Sequence, residues 1–243
     1  MIARTSGIVI KNTKYSEASV ISKIYTLDFG MQSYIINRIN APKAPIKASH
    51  LQPLSILDMI VYQNNTKDIQ RIKEAKCDPV LQNIHTDLNK SAVAMFMAEL
   101  IYRAIGEEEP NSTLFEFLKD SIIELDKDEK TIPLAPLLFI ISLTRFLGFY
   151  PGNEYSEENC YFHLQEGYFS NINEQENIAV KPPYSLHLSQ IIDYLSNKPG
   201  KPDMKIPKAS RIYLLNRMID YYRFHLPDFP KLNSVEVLSV VMS

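Results

Sequence analysis

The sequence predicts an α+β protein: a five-stranded β-barrel over residues 1–80, then a helical domain over residues 81–243. Three observations predict it. Five short segments rich in Ile, Val, Tyr and Thr, with alternation clearest in the second, precede residue 80. The period lengthens to that of a helix from about residue 81. Periodicity then lapses over residues 150–183, where turn formers accumulate.

Taken in order, GIVIKNTK, SVISKIYTLDFG, QSYIINRIN, LSILDMIVYQNN and DIQRIKEAK are short, rich in Ile, Val, Tyr and Thr, and separated by polar turns, as strands are. In the second, Val20, Ser22, Ile24 and Thr26 share one face and Ile21, Lys23, Tyr25 and Leu27 the other. Five short strands in this length imply closure into a small barrel, which leaves no unpaired edge. The connection APKAPIKASHLQP carries prolines that cannot donate within a central strand, so it reads as an exposed basic loop. Beyond it, SAVAMFMAELIYRAIG is apolar nearly all round and ends at Gly106, which reads as a glycine C-cap. Thr113 and Glu116 have capping-box spacing ahead of LFEFLKDSIIEL, and Pro133 opens a helix that runs to Gly148. Residues 150–183 read as an irregular insert or small ribbon. Helix returns at LHLSQIIDYLS and from Ser210 to His225.

A chain of 243 residues with 45% apolar side chains has ample material for a buried core. No window approaches the roughly eighteen apolar residues of a membrane span, and the start, MIARTSGIVIK, lacks the apolar stretch of a signal peptide, so a cytoplasmic protein is expected. In that reducing compartment Cys77 and Cys160 stay as thiols. In ENCYFHLQEG, Cys160 and His163 make half of a tetrahedral zinc set, and no second pair is near, so no metal or cofactor is expected. The chain has no GxxxxGK[ST], GxGxxG, GxSxG or HExxH, and its five histidines are scattered, so it is not expected to be an enzyme.

The net charge is only −2, but the positive charge is concentrated. Residues 1–50 hold Lys11, Lys14, Lys23, Arg38, Lys43 and Lys47, with Arg4, against Glu17 and Asp28 alone. Cations that track phosphates and ring faces that stack bases are what a nucleic-acid strand needs. Those six residues are the candidate phosphate contacts, and Tyr15, Tyr25 and Tyr34 the candidate stacking rings. A second basic stretch, residues 198–223, places Lys208 and Arg211 together on one side of a helix and Arg217 on another.

The opening GIVIKNTKYSEASVISKIYTLDFG resembles the start of the RecO family of bacterial DNA repair and recombination mediators, in which a GIVL-like strand, a YxE turn and an IVxLxTxxxG strand follow one another. The resemblance continues in family order through LQPLSILDMIVY, DIQRIKEA, MAELIYRAIGEEEPNSTLFEFLKDSIIELD, FLGFYPGN and YYRFHLPDFPKLNSVEVL. It implies an N-terminal OB-fold followed by an all-helical domain, without enzymatic activity. It implies binding of single- and double-stranded DNA, annealing of complementary strands, association with RecR and with the tail of single-stranded DNA-binding protein, and help in loading RecA. Many members carry a four-cysteine zinc ribbon where this chain keeps only Cys160, so CYFHLQEGYF looks like a degenerate, metal-free ribbon packed by Tyr161, Phe162, Tyr168 and Phe169. The partner's tail, acidic with an apolar end, calls for an apolar pocket rimmed by cations. Lys208 and Arg211 beside Leu215, with Arg145 at the end of another helix, are the candidates. The competing function is a protein-interaction scaffold that does not touch nucleic acid.

Overall fold

The computed structural model describes residues 1–39, 41, 46–64, 66–106, 109–128, 132–172, 178–197 and 204–241. The contacts divide the chain into two compact units, residues 1–127 and 128–243.

The first unit opens with the expected barrel. Its strands are β1 (Ile2–Lys14), β2 (Ser19–Thr26), β3 (Gly30–Asn37), β4 (Ile56–Tyr62) and β5 (Ile69–Cys77). They close in the order β1-β2-β3-β5-β4, with β4 returning to β1, and this is an OB-fold. Every pairing is antiparallel except β3 with β5. β1 is long enough to serve two partners, pairing through Ile2–Ile8 with β4 and through Gly7–Lys14 with β2. The interior is filled by Val9, Ile24, Tyr34, Ile36, Leu57, Met59 and Val61. Ile46 and Leu51 join that core, and residues 48–51 form a short 3₁₀ turn, so the proline-bearing connection is an exposed loop only in part. Its residues 42–45 lie outside the described residues.

Two helices complete this unit, α1 (Leu88–Ala104) and α2 (Ser112–Lys127). Asp87 caps α1 by accepting from the Lys90 N–H. The far end departs from expectation: the C-cap is Ile105 in extended conformation, and Gly106 does not take a left-handed φ. At α2 the cap is Asn111, whose side chain accepts from the Leu114 N–H, so the Thr113–Glu116 spacing is not a capping box. The segment leaving the barrel is clamped onto the last turn of α2. The Asp126 carboxylate accepts from the backbone N–H groups of Gln82, Asn83 and Ile84 at 3.0, 2.7 and 2.8 Å, and the buried Lys90 ammonium donates to the Asp126 carbonyl at 2.7 Å.

The second unit contains α3 (Ala135–Leu147), α4 (Tyr184–Asn197), α5 (Lys208–His225), α6 (Ser234–Val241) and a small sheet of β6 (Tyr161–His163), β7 (Tyr168–Ser170) and β8 (Ala179–Val180), in the order β7-β6-β8. Pro136 rather than Pro133 occupies the first turn of α3, and Gly148 ends it with φ 84°, the left-handed cap its position suggests. Tyr222, buried, donates to the Ile140 carbonyl at 2.8 Å and so fastens α5 to α3. The ribbon is aromatic at its centre: Phe162 and Phe169 face each other across β6 and β7 at 5.1 Å, and Phe162 meets Tyr221 at 5.7 Å. Tyr168 is exposed, so the packing rests on the two phenylalanines more than on the tyrosines.

Candidate nucleic-acid interface

Strand register decides which of the barrel's cations are neighbours. Lys11 and Lys23 are directly opposite each other on β1 and β2, both on the outer face. Lys14 pairs with Val20 where the two strands approach their turn, which the N–H groups of Tyr15 and Ser16 close onto the Ser19 carbonyl. The exit of β3 reaches the same turn, because the Ile39 N–H donates to the Ala18 carbonyl. Arg38, exposed and in the left-handed region at φ 57°, therefore lies at the same end of the barrel as Tyr15 and Lys14, across β2 from them. Lys47 is exposed just ahead of the 3₁₀ turn, which Asn12 of β1 ties down through the Leu51 carbonyl. Lys43 lies outside the described residues.

The environment of each cation differs. The Lys11 ammonium sits 4.2 Å from the ring centre of Tyr102 on α1, a cation–π contact that steers its side chain toward that helix. Arg4, which adds to the formal charge of the first fifty residues, is engaged elsewhere: its guanidinium holds Asp58 through two bonds of 2.9 and 2.7 Å, and Lys76 approaches the same carboxylate at 3.5 Å. The bond from Arg4 holds the Asp58 carboxyl below its ordinary range, and both cations face a neutralising charge. Lys14, Arg38 and Lys47 have no such partner among the described residues.

Of the three candidate rings, only Tyr15 is open to a ligand. Tyr25 and Tyr34 are wholly buried. Tyr25 shares its face with Lys23, as the alternation requires, but that face is covered there by Phe115 of α2, with ring centres 6.4 Å apart. Tyr34 points into the barrel, where burial pushes its phenol pKa up.

The candidate partner residues of the second unit do not converge on one pocket. Arg145 donates to the Tyr150 hydroxyl at 2.8 Å and the Leu195 carbonyl at 3.0 Å, fastening the end of α3 to that of α4. Lys208 is exposed at the start of α5. Arg211 donates to the Ile206 carbonyl at 2.7 Å and lines a hollow of about 430 Å³ with Pro133, Leu134, Met204 and Lys205. Leu215, one turn on, opens instead into a groove of about 620 Å³ with Ile212, Ile219, Leu232 and Val235. That groove's rim includes the Arg217–Asp220–Arg223 ion-pair chain and the Lys231–Glu236 pair. α6, which supplies one wall, is an element that the sequence pattern does not announce.

In the ribbon, His163 is buried with Nε2 2.7 Å from the Ser170 hydroxyl, and Cys160 is a free thiol. Among the described residues no three His, Cys, Asp or Glu side chains gather as a metal set would, and no helix is long and apolar enough to cross a membrane.

Comparison with known proteins agrees with this architecture. Residues 1–79 match the family model for the recombination protein O N terminal region and residues 85–234 that for its C terminal region. The chain is similar to the DNA repair protein RecO of Phocaeicola vulgatus, 33% identical over the whole of both chains. It is 35% identical to that of Bacteroides fragilis over 98% of each, and 32% identical to that of Flavobacterium johnsoniae over the whole of both. Two family models in the right order, on an OB-fold that continues into helices, together with full-length relatives at this identity, establish that the chain belongs to the RecO family.

Proposed function

We propose that this chain acts in DNA repair and homologous recombination as a mediator, binding single- and double-stranded DNA, annealing complementary strands and, with RecR, helping RecA to load on DNA covered by single-stranded DNA-binding protein. It works in the cytoplasm by binding and placing strands, and not by catalysing a covalent reaction. The observation that carries this reading is the cluster at one end of the barrel. Lys14, Tyr15 and Arg38 lie at the end of the barrel that carries the β1–β2 turn, with Lys11 and Lys23 opposite each other a short way along β1 and β2. The names of the relatives, DNA repair protein RecO, support the same role.

The test is a titration of the full chain with single-stranded DNA across a range of salt. A Lys14→Ala/Lys23→Ala/Arg38→Ala variant should bind more weakly for every sequence, and its log–log salt slope should be shallower by about 2, at roughly 0.7 per phosphate contact on a single strand. A wild-type chain whose binding is absent, or indifferent to salt, would leave the barrel as a protein-docking surface.

A further inference from the structure

The barrel carries a second outward surface that the charge count does not reveal. Ile2 of β1 lies opposite Tyr62 of β4, Tyr62 opposite Arg71 of β5, and Arg71 opposite Ile35 of β3. Their chain neighbours Ala3, Val61, Ile72 and Tyr34 belong to the barrel interior, so these four side chains all project outward and form one row across four strands. Large apolar groups at this row are left open: Met1 is 81% exposed, Ile2 58%, Tyr62 45% and Ile69 41%. They line a shallow concavity of about 790 Å³ together with Ile35, Lys67 and Arg71, and among the described residues no Asp or Glu lines it.

The border of this concavity is built rather than loose. Gln70, 3% exposed, accepts from the Asn64 N–H at 2.9 Å and donates to the carbonyls of Asn64 and Lys67, which fixes the turn that carries Lys67. The start of β1 is held against the same turn by the Gln63 N–H, which donates to the Met1 carbonyl at 2.9 Å.

An exposed ring flanked by aliphatic side chains and two cations, with Asp68 between Lys67 and Ile69 as its one acidic chain neighbour and outside the lining, matches the chemistry of one repeating ligand: a planar base attached to a phosphate. A duplex offers the phosphates but hides the base faces, whereas a single strand offers both. The row also leads toward the basic cluster. From Arg71 it passes through Ile35 to Ile21 on β2, next along that outer face to Lys23. Tyr62 and β2 are three strands apart, about 14 Å at the usual strand spacing. A strand laid along the row therefore meets Arg71 midway and Lys23 beyond its β2 end.

We propose that Tyr62, with Ile2 and Ile69, is a platform on which unpaired bases of single-stranded DNA stack, while Arg71 and Lys67 hold the adjoining phosphates. The assignment rests on the DNA-binding reading above and adds to it a site that distinguishes unpaired from paired strands.

The experiment measures binding of the full chain to oligothymidine, to an abasic strand of equal length and to a duplex. Tyr62→Ala should weaken oligothymidine binding about tenfold, the usual effect of removing one stacking ring, and change abasic-strand and duplex binding less than about twofold. Tyr62→Phe keeps the ring and should bind oligothymidine as wild type does. Arg71→Ala should weaken binding to all three and make the single-strand salt slope shallower by about 0.7. The platform is overturned if Tyr62→Ala binds oligothymidine as tightly as wild type, or loses equally on all three ligands. It is overturned too if the variant keeps its DNA affinity and loses association with RecR, which would make the face a protein dock. A wild-type chain that binds none of the three ligands defeats the DNA-binding reading itself, and this outcome is distinct from a selective failure at Tyr62.

Discussion

At the scale of single residues, Asp126 ties the segment leaving the barrel to α2 through three backbone donors. Burial alone would raise its pKa, but three backbone N–H donors and the Lys90 charge outweigh that cost and hold the carboxyl below its ordinary value. Asp126→Asn removes the charge that those donors point at and puts an amide hydrogen against at least one of them. Charge-assisted bonds of this kind contribute about 1.5–3 kcal/mol each before compensation by water, so a net loss of about 3 kcal/mol is expected, read as a lower denaturation midpoint. The pH dependence has a definite sign. Because the folded pKa is depressed, the contribution is present in full above the unfolded value of about 3.9 and is lost as pH falls through the folded one. The stability gap between wild type and Asp126→Asn should therefore stay constant at neutral pH and narrow below about pH 4, in urea titrations at each pH. Residue-level reading of the sequence is weakest where the side of a strand matters. Alternation correctly separates Ser22 from Lys23, but it does not say which face turns inward or which is covered. Tyr34 accordingly sits in the core, and Tyr25 lies under Phe115.

At the scale of elements, three glycines at or after the ends of apolar or aromatic runs look alike in sequence and differ in structure. Gly106 follows α1 without a left-handed φ and with nothing within 4 Å of the place a Cβ would take. Gly148 has equally open surroundings but φ +84°. Gly167 combines φ +74° with the Tyr221 hydroxyl 2.6 Å from where a Cβ would stand, and that hydroxyl is buried and bonded to the Phe149 carbonyl at 2.7 Å. Replacement by alanine should therefore separate them. At Gly106 the loss of unfolded-state freedom should stabilise by up to about 1 kcal/mol; at Gly148 the left-handed conformation should cost about 1 kcal/mol. At Gly167 a clash with a side chain that has no room to swing adds to the same conformational cost, for a total of about 2–3 kcal/mol. Thermal melts of the three variants check the order, and an equal shift at Gly148 and Gly167 would show that Tyr221 yields freely. The elements themselves were largely legible, because five short β-rich segments and five helical runs have residue patterns that the burial of apolar side chains explains. Their ends were less so. The spacing points to Thr113 as the cap of α2, whereas Asn111 takes that place, because that is where the backbone enters the helix.

At the scale of the whole molecule, the chain places its positive charge in two compact units, one holding Lys14, Lys23, Arg38 and Lys47 and the other Lys205, Lys208 and Arg211. Counting charges along the sequence finds both stretches. What it lacks is the register that sets Lys11 opposite Lys23, the ion pair that withdraws Arg4, and the β4–β5 register that sets Tyr62 opposite Arg71, since each depends on how strands pair. Annealing puts a demand on such a molecule that simple binding does not: two mutually repelling strands must be held long enough to pair. One basic surface saturates with the first strand, and the second strand then needs either displacement or a further set of cations. If the second unit supplies that set, its exposed lysines matter for the rate of pairing and little for the affinity of one strand. Reversing Lys205→Glu and Lys208→Glu in the full chain should then slow annealing of complementary oligonucleotides by about tenfold at moderate salt, while affinity for a single oligonucleotide falls less than about threefold. The contrast is sharpest at low salt, where screening is least, and it should shrink as ionic strength rises. Annealing at the wild-type rate by this variant, followed by fluorescence transfer between labelled strands, would confine the reaction to the residues of the barrel unit.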